Sequence, residues 1–227
     1  AKITSGPSAS GVLEADAAER EAKDRNLTSR PPVEQFTVME HLMAARLVLQ
    51  VDEDIKSVKK VVYGTALLTP EILATATALL AEEVPRSWAS KFEGPEQPKK
   101  WLRSVVVRRL QLAKWAERAS TGDLLRDPLD LNDLFRPATF LNALRQQTAR
   151  EAGISMDALR MVSCFDAGLL RGAPVVIHVS GMFLQGAQFK GRSLGECASD
   201  ASELVPMDDA VIAFVARDFS DPYPSSG

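Results

Sequence analysis

Gly191-Arg192-Ser193-Leu194-Gly195 has the G-x-S-x-G spacing in which a strained strand-to-helix turn exposes a serine nucleophile to a histidine base. That chemistry, in its usual chain order, needs serine, then an acid, then histidine. Both histidines, His41 and His178, precede Ser193, and the surroundings read as a hairpin rather than as alternating parallel strands and helices. The motif is therefore expected to be a β-turn. Ser57-Val58-Lys59-Lys60 sets a serine and a lysine one helical turn apart, but the S-D-N and K-T-G elements that accompany such a pair are missing, and a solvated helix end is expected. His178 alternates with Ile177 and Val179 and is expected at a surface or in a hydrogen bond rather than as a base. The sequence has no G-x-x-x-x-G-K-[ST] loop, G-x-G-x-x-G turn, H-E-x-x-H pair or calcium-loop pattern. Catalytic, cofactor-binding and metal-ligating residues are all expected to be none.

Composition narrows the class without naming it. The 227 residues are 45% hydrophobic and 25% charged, ordinary for a soluble protein of one or two domains. With 27 Lys+Arg against 30 Asp+Glu the net charge is -3, so there is no uniform basic field and nucleic acid is not an expected partner. The longest apolar run, Ala210 to Ala216, falls far short of the roughly 20 residues that span a bilayer, and no apolar leader stands near the N-terminus. No membrane insertion is expected, and the protein reads as soluble and unsecreted. Cys164 and Cys197 lack the spacing of a zinc site and read as reduced thiols.

Residues 1–32 carry five acidic and five basic side chains with few large apolar groups, which predicts a flexible lead-in. Asn26-Leu27-Thr28 matches a glycosylation sequon by chance. A helical region is expected over 33–153. Its first helix, from Pro31-Pro32 to about Lys60, carries Phe36, Met43, Leu47, Val51, Val58 and Val62 on one stripe, interrupted by Glu40 and Asp54. Gly64 should break it. Thr69-Pro70-Glu71 then supplies an N-cap hydroxyl, a proline at the first helical position and an acid near the positive helix end, opening a second helix to about Glu82.

The helix from Trp101 to Arg118 is apolar on two sides, with Trp101, Val105, Leu112 and Trp115 on one and Leu102, Val106 and Leu110 on the next, and should lie between other elements. Arg108 sits inside the first stripe, where a carboxylate partner such as Glu40 or Asp54 is expected. A further helix begins at Pro137, places Phe140, Leu141, Leu144 and Thr148 on one face, and ends at Gly153. Residues 86–118 carry nine Lys/Arg against three Glu, and 196–227 carry seven Asp/Glu against one Arg; the plain reading is two solvated faces.

Beyond Gly153 the period shortens. Met161–Phe165, Val175–Ser180, Met182–Phe189 and Val211–Arg217 are short β-branched or aromatic runs divided by Gly, Pro, Asp or Ser. Residues 154–227 are expected to form an antiparallel β subdomain. The fold class is α+β, an N-terminal helical bundle followed by an antiparallel β-sheet or partial β-barrel.

The order of these motifs resembles the C-terminal end of a dynein heavy chain, over roughly residues 33–217. The helix with Phe36 and Glu40, the Tyr63-Gly64 break before Leu67-Leu68-Thr69-Pro70-Glu71, and Val84-Pro85-Arg86-Ser87-Trp88 look like that family's passage out of its last AAA+ module. The Trp101 helix, Leu134-Phe135-Arg136-Pro137-Ala138-Thr139-Phe140-Leu141 and Ser180-Gly181-Met182-Phe183-Leu184-Gln185-Gly186-Ala187 follow in the family's order. The stretch from Thr139 to Arg150 is most similar to the dynein-2 type, the motor of retrograde intraflagellar transport. Two departures stand out: Phe189-Lys190 replaces the family's aromatic-Asp pair, and the sequence stops at Gly227 where the family continues through further strands, so a truncated β subdomain is expected.

The resemblance implies a non-catalytic structural and regulatory segment of an ATP-driven, minus-end-directed microtubule motor. Its implied partner is the AAA+ ring of the same heavy chain. Microtubules and the dynein light and intermediate chains are implied for the parent motor. No cofactor is implied in this segment, since ATP and magnesium bind upstream, and the implied location is cytoplasm, cytoskeleton and cilium or flagellum. The alternative is a stand-alone helical adaptor that binds a partner helix or peptide.

Overall fold

The computed structural model describes residues 30–190, 193–196 and 204–219, so the lead-in up to residue 29 and Cys197 lie outside the described residues. Helix α1, Pro32–Val62, runs 31 residues and is closed by Gly64 at φ 70°. Of its expected stripe, Phe36, Leu47 and Val51 are buried, Met43 and Val58 are half-buried, and Val62 is 76% exposed. Spacings of four and seven do not stay on one line of a straight 3.6-residue helix. By position 62 the stripe has turned about 80° from Phe36.

The protein divides into two compact units, one of residues 37–116 and one that joins 31–36 to 117 onward. In the first, α1 is followed by α2, Pro70–Leu80, then a single turn α3, Arg86–Ala89, and most of α4, Pro98–Thr121. Thr69 caps α2 by accepting from the Ile72 N–H, with Pro70 at the first helical position, as the Thr-Pro-Glu signal predicts. Trp88 and Trp101 are fully buried and stack with ring centroids 5.7 Å apart. Around them Val105, Leu112 and Trp115 line the buried side of α4. The second apolar side of α4 corrects the expectation of a helix enclosed between neighbours. Leu102 is half-buried while Val106 and Leu110 stand open to solvent.

In the second unit α5, Pro137–Ala152, buries Phe140, Leu144 and Thr148 and ends at Gly153 with φ 66°, a left-handed cap. Phe140 packs on Phe36 at 5.7 Å, ring planes tilted 54°. The main sheet has four strands in the order β1-β3-β8-β2: β1 Leu129–Asp130, β2 Leu159–Cys164, β3 Val176–Ser180 and β8 Ala210–Ala216. Strand β8 runs antiparallel to both neighbours, pairing Arg160 with Val215 and His178 with Val211. It is buried from Ala210 through Val215, which explains an unbroken apolar run where a one-faced strand would alternate. Under it Val162, Cys164, Leu170, Ala213 and Val215 form one apolar cluster.

Two ribbons complete the unit, β4 Phe183–Gln185 with β7 Leu204–Pro206, and β5 Ala187–Lys190 with β6 Ser193–Glu196. The single expected strand over Met182–Phe189 is thus two, divided at Gly186 with φ 68°. The architecture is α+β, as expected, with one correction. The sheet is mixed, because β1 joins β3 in parallel, Leu129 opposite Val179. Among the described residues the strands fall in three sheets and do not close into a barrel.

Candidate interaction surfaces

The residues that could suggest catalysis fall on different elements, a strand of the β5–β6 ribbon, the main sheet and the end of α1. Ser193 opens β6 opposite Lys190, and Gly195 faces Gln188, so Ser193, Leu194 and Gly195 lie on an antiparallel strand rather than at the start of a helix. Gly191 and Arg192 lie outside the described residues. His178 is exposed on β3 between the fully buried Ile177 and Val179. Ser57 is half-buried and Lys60 exposed near the end of α1. The Cys164 thiol is buried and donates to the Asp166 carbonyl at 3.2 Å. Among the described residues no cluster of three or more His, Cys, Asp or Glu is arranged to hold a metal, and no helix is long and apolar enough to cross a membrane.

Two acids and a guanidinium on the helical unit show what the charged residues do. Asp54 Oδ2 accepts from Trp88 Nε1 at 2.7 Å and Oδ1 accepts from Gln50 Nε2 at 2.9 Å. Asp54, one of the two carboxylates that the sequence offers to Arg108, thus serves a buried tryptophan. Arg108 lies over the Phe92 ring, 4.8 Å from its centroid, and donates to Ser104 Oγ. Glu71, exposed at the start of α2, has its carboxyl held below the usual range by a backbone N–H and by the Thr69 hydroxyl.

Beside Asp54 a groove of about 760 Å³ opens between α1, α2 and the turn at Pro85, lined by Gln50, Thr75, Ala78, Pro85 and Arg86. The end of α1, the turn after it and the outer side of α2 present Val62, Tyr63, Leu67, Leu68, Leu73 and Leu80 to solvent, Leu67 at 88% exposure. Large exposed apolar groups gathered in this way are a feature of interaction surfaces.

In the sheet-bearing unit Arg145 is the fastener that sequence reading missed. From α5 its Nε donates to the Met156 carbonyl at 3.0 Å, and its Nη2 reaches the same oxygen and the Leu159 carbonyl at 3.5 Å. It pins the helix to the lead into β2. On the β4–β7 ribbon Phe183 and Leu204 stand exposed.

These features define an α+β segment whose most developed external elements are apolar and charged surfaces. A family model for the C-terminal domain of the dynein heavy chain matches residues 8–217, and the protein belongs to that family. It is 39% identical over 192 residues to cytoplasmic dynein 2 heavy chain 1 of Homo sapiens and 40% identical over 195 residues to that of Tripneustes gratilla, covering 85% and 86% of its own length. The protein of the same name from Chlamydomonas reinhardtii is 34% identical over 230 residues, 95% of the length here. The match spans only 4% to 5% of the length of these relatives.

Proposed function

We propose that this protein is a non-catalytic, structural and regulatory segment of a dynein-2 type heavy chain that works in retrograde intraflagellar transport. The observation that carries the reading is 39–40% identity to dynein 2 heavy chains over 85–86% of the residues. The parent is then an ATP-driven, minus-end-directed microtubule motor of the cytoplasm, cytoskeleton and cilium or flagellum. ATP and magnesium bind to its upstream modules, and microtubules and the light and intermediate chains are partners of the whole motor. This segment contacts the AAA+ ring of its own heavy chain.

Physics supports a mechanical role. A brace that packs better on one ring conformation than another changes the free-energy gap between them without touching nucleotide. The apolar surface around Leu67, Leu68, Leu73 and Leu80 is suited to such packing.

An immunoblot of native extract, with an antibody raised against residues 101–150, tests the reading. A band vastly larger than 24.7 kDa agrees with it. A band near that mass removes the upstream ATPase and leaves the stand-alone adaptor.

A further inference from the structure

We propose that the outer face of α4 is a docking strip for an acidic polypeptide segment with aliphatic anchors, supplied from outside these 227 residues. On a 3.6-residue helix Lys99, Arg103, Val106, Val107, Leu110 and Lys114 fall on one face, opposite the side that buries Trp101, Val105 and Leu112. All six are exposed, the three apolar ones at 47%, 46% and 54%. They make an aliphatic ridge with cations at both ends, and the strip from Lys99 to Lys114 is about 22 Å long, roughly four turns of a partner helix.

Charge complementarity selects the occupant. From Pro98 through Ala116 the helix carries Lys99, Lys100, Arg103, Arg108, Arg109 and Lys114 and not one carboxylate. A surface helix that answered only to water would intersperse signs at four-residue spacing, as Asp52 and Lys56 do on α1. A ridge of valines and leucine between like charges instead asks for carboxylates flanking an apolar stripe. An anionic membrane fits less well: the ridge holds no aromatic side chain, and the protein as a whole carries a net charge of -3. The assignment stands on α4 alone and does not depend on the motor reading.

Carbodiimide coupling, which joins lysine amines to carboxylates without a spacer, tests this on the native, untruncated polypeptide, with coupled peptides read by mass spectrometry. Lys99, Lys100 or Lys114 is expected to couple to Asp or Glu of a segment outside these residues that carries aliphatic side chains at helical spacing. Arg103→Glu and, separately, Leu110→Ser keep all three lysines, and each should cut the coupling about fivefold, the equivalent of one modest surface contact. Arg103→Lys should preserve it and shows that the variants read charge rather than misfolding. Coupling to a second copy, or to the protein's own acids in 1–29 or 196–227, overturns the proposal. So do lysines that remain uncoupled and fully open to acetylation, and so does flotation with phosphatidylserine vesicles that Arg103→Glu abolishes.

Discussion

Gly181 sits at φ 74° directly against Asp130, so closely that a Cβ at position 181 would overlap the carboxylate oxygen Oδ1. That oxygen is already engaged, accepting from the Asn132 N–H at 2.9 Å. Asp130 and Ser180 are also register partners in the parallel β1–β3 pair. One glycine therefore lets the backbone leave β3 beneath the turn that follows β1.

Gly181→Ala should cost about 3 kcal/mol, combining left-handed strain with a steric conflict. Gly153→Ala shares the strain, at φ 66°, but meets nothing within 4 Å, and should cost about 1 kcal/mol. Adding Asp130→Ala to Gly181→Ala should recover part of the larger loss. Urea unfolding of the four proteins checks the ordering, and equal losses at the two glycines would remove steric conflict as the cause.

Trp88→Phe takes away the indole N–H that Asp54 Oδ2 accepts and leaves a half-buried carboxylate oxygen without that donor. The expected loss is about 2 kcal/mol, and a double-mutant cycle with Asp54→Ala should show coupling of about 1 kcal/mol. Additive losses would mean that the hydrogen bond contributes nothing beyond packing.

Arg145→Lys keeps the charge but cannot span the Met156 and Leu159 carbonyls with a planar fork. Stability should drop by about 1–2 kcal/mol. Amide exchange should rise first at the start of β2, and a change confined to α5 would contradict this role.

Glu71 links α2 to pH. Its folded carboxyl is lowered, first by a backbone N–H and then by Thr69, so its contribution is present above the unfolded pKa and is lost as pH falls through the folded value. Relative to Glu71→Gln, the parent protein should protect the α2 amides better at neutral pH and lose that advantage in acid. An advantage that grows in acid would reverse the sign and refute the assignment.

Local signals were legible wherever their cause was local. Thr69-Pro70 capped α2, Gly64 and Gly153 closed their helices, and His178 alternated between two buried neighbours, because capping, left-handed backbone and the two-residue strand period are set within a few residues. Strand β8 was legible too, as the β-branched and aromatic run that begins at Val211, though its burial along the whole run was not.

The sequence by itself determined the Thr69-Pro70 cap, the Gly64 and Gly153 helix ends, the α+β order and, through its motifs, the dynein C-terminal family, while the start of α4 at Pro98 and the short helix α3 were not legible in it. Only the tertiary structure decided which apolar faces are covered. Val105 and Val106 are equally apolar in sequence, yet one is buried and the other open, because burial depends on what a distant segment brings to each side. The same reason hid β1: Leu129-Asp130 has no strand signal of its own and becomes one only where β3 offers a partner edge. Asp54 likewise looked like a counter-ion for Arg108 until folding brought the Trp88 N–H to it, a contact 34 residues away in sequence.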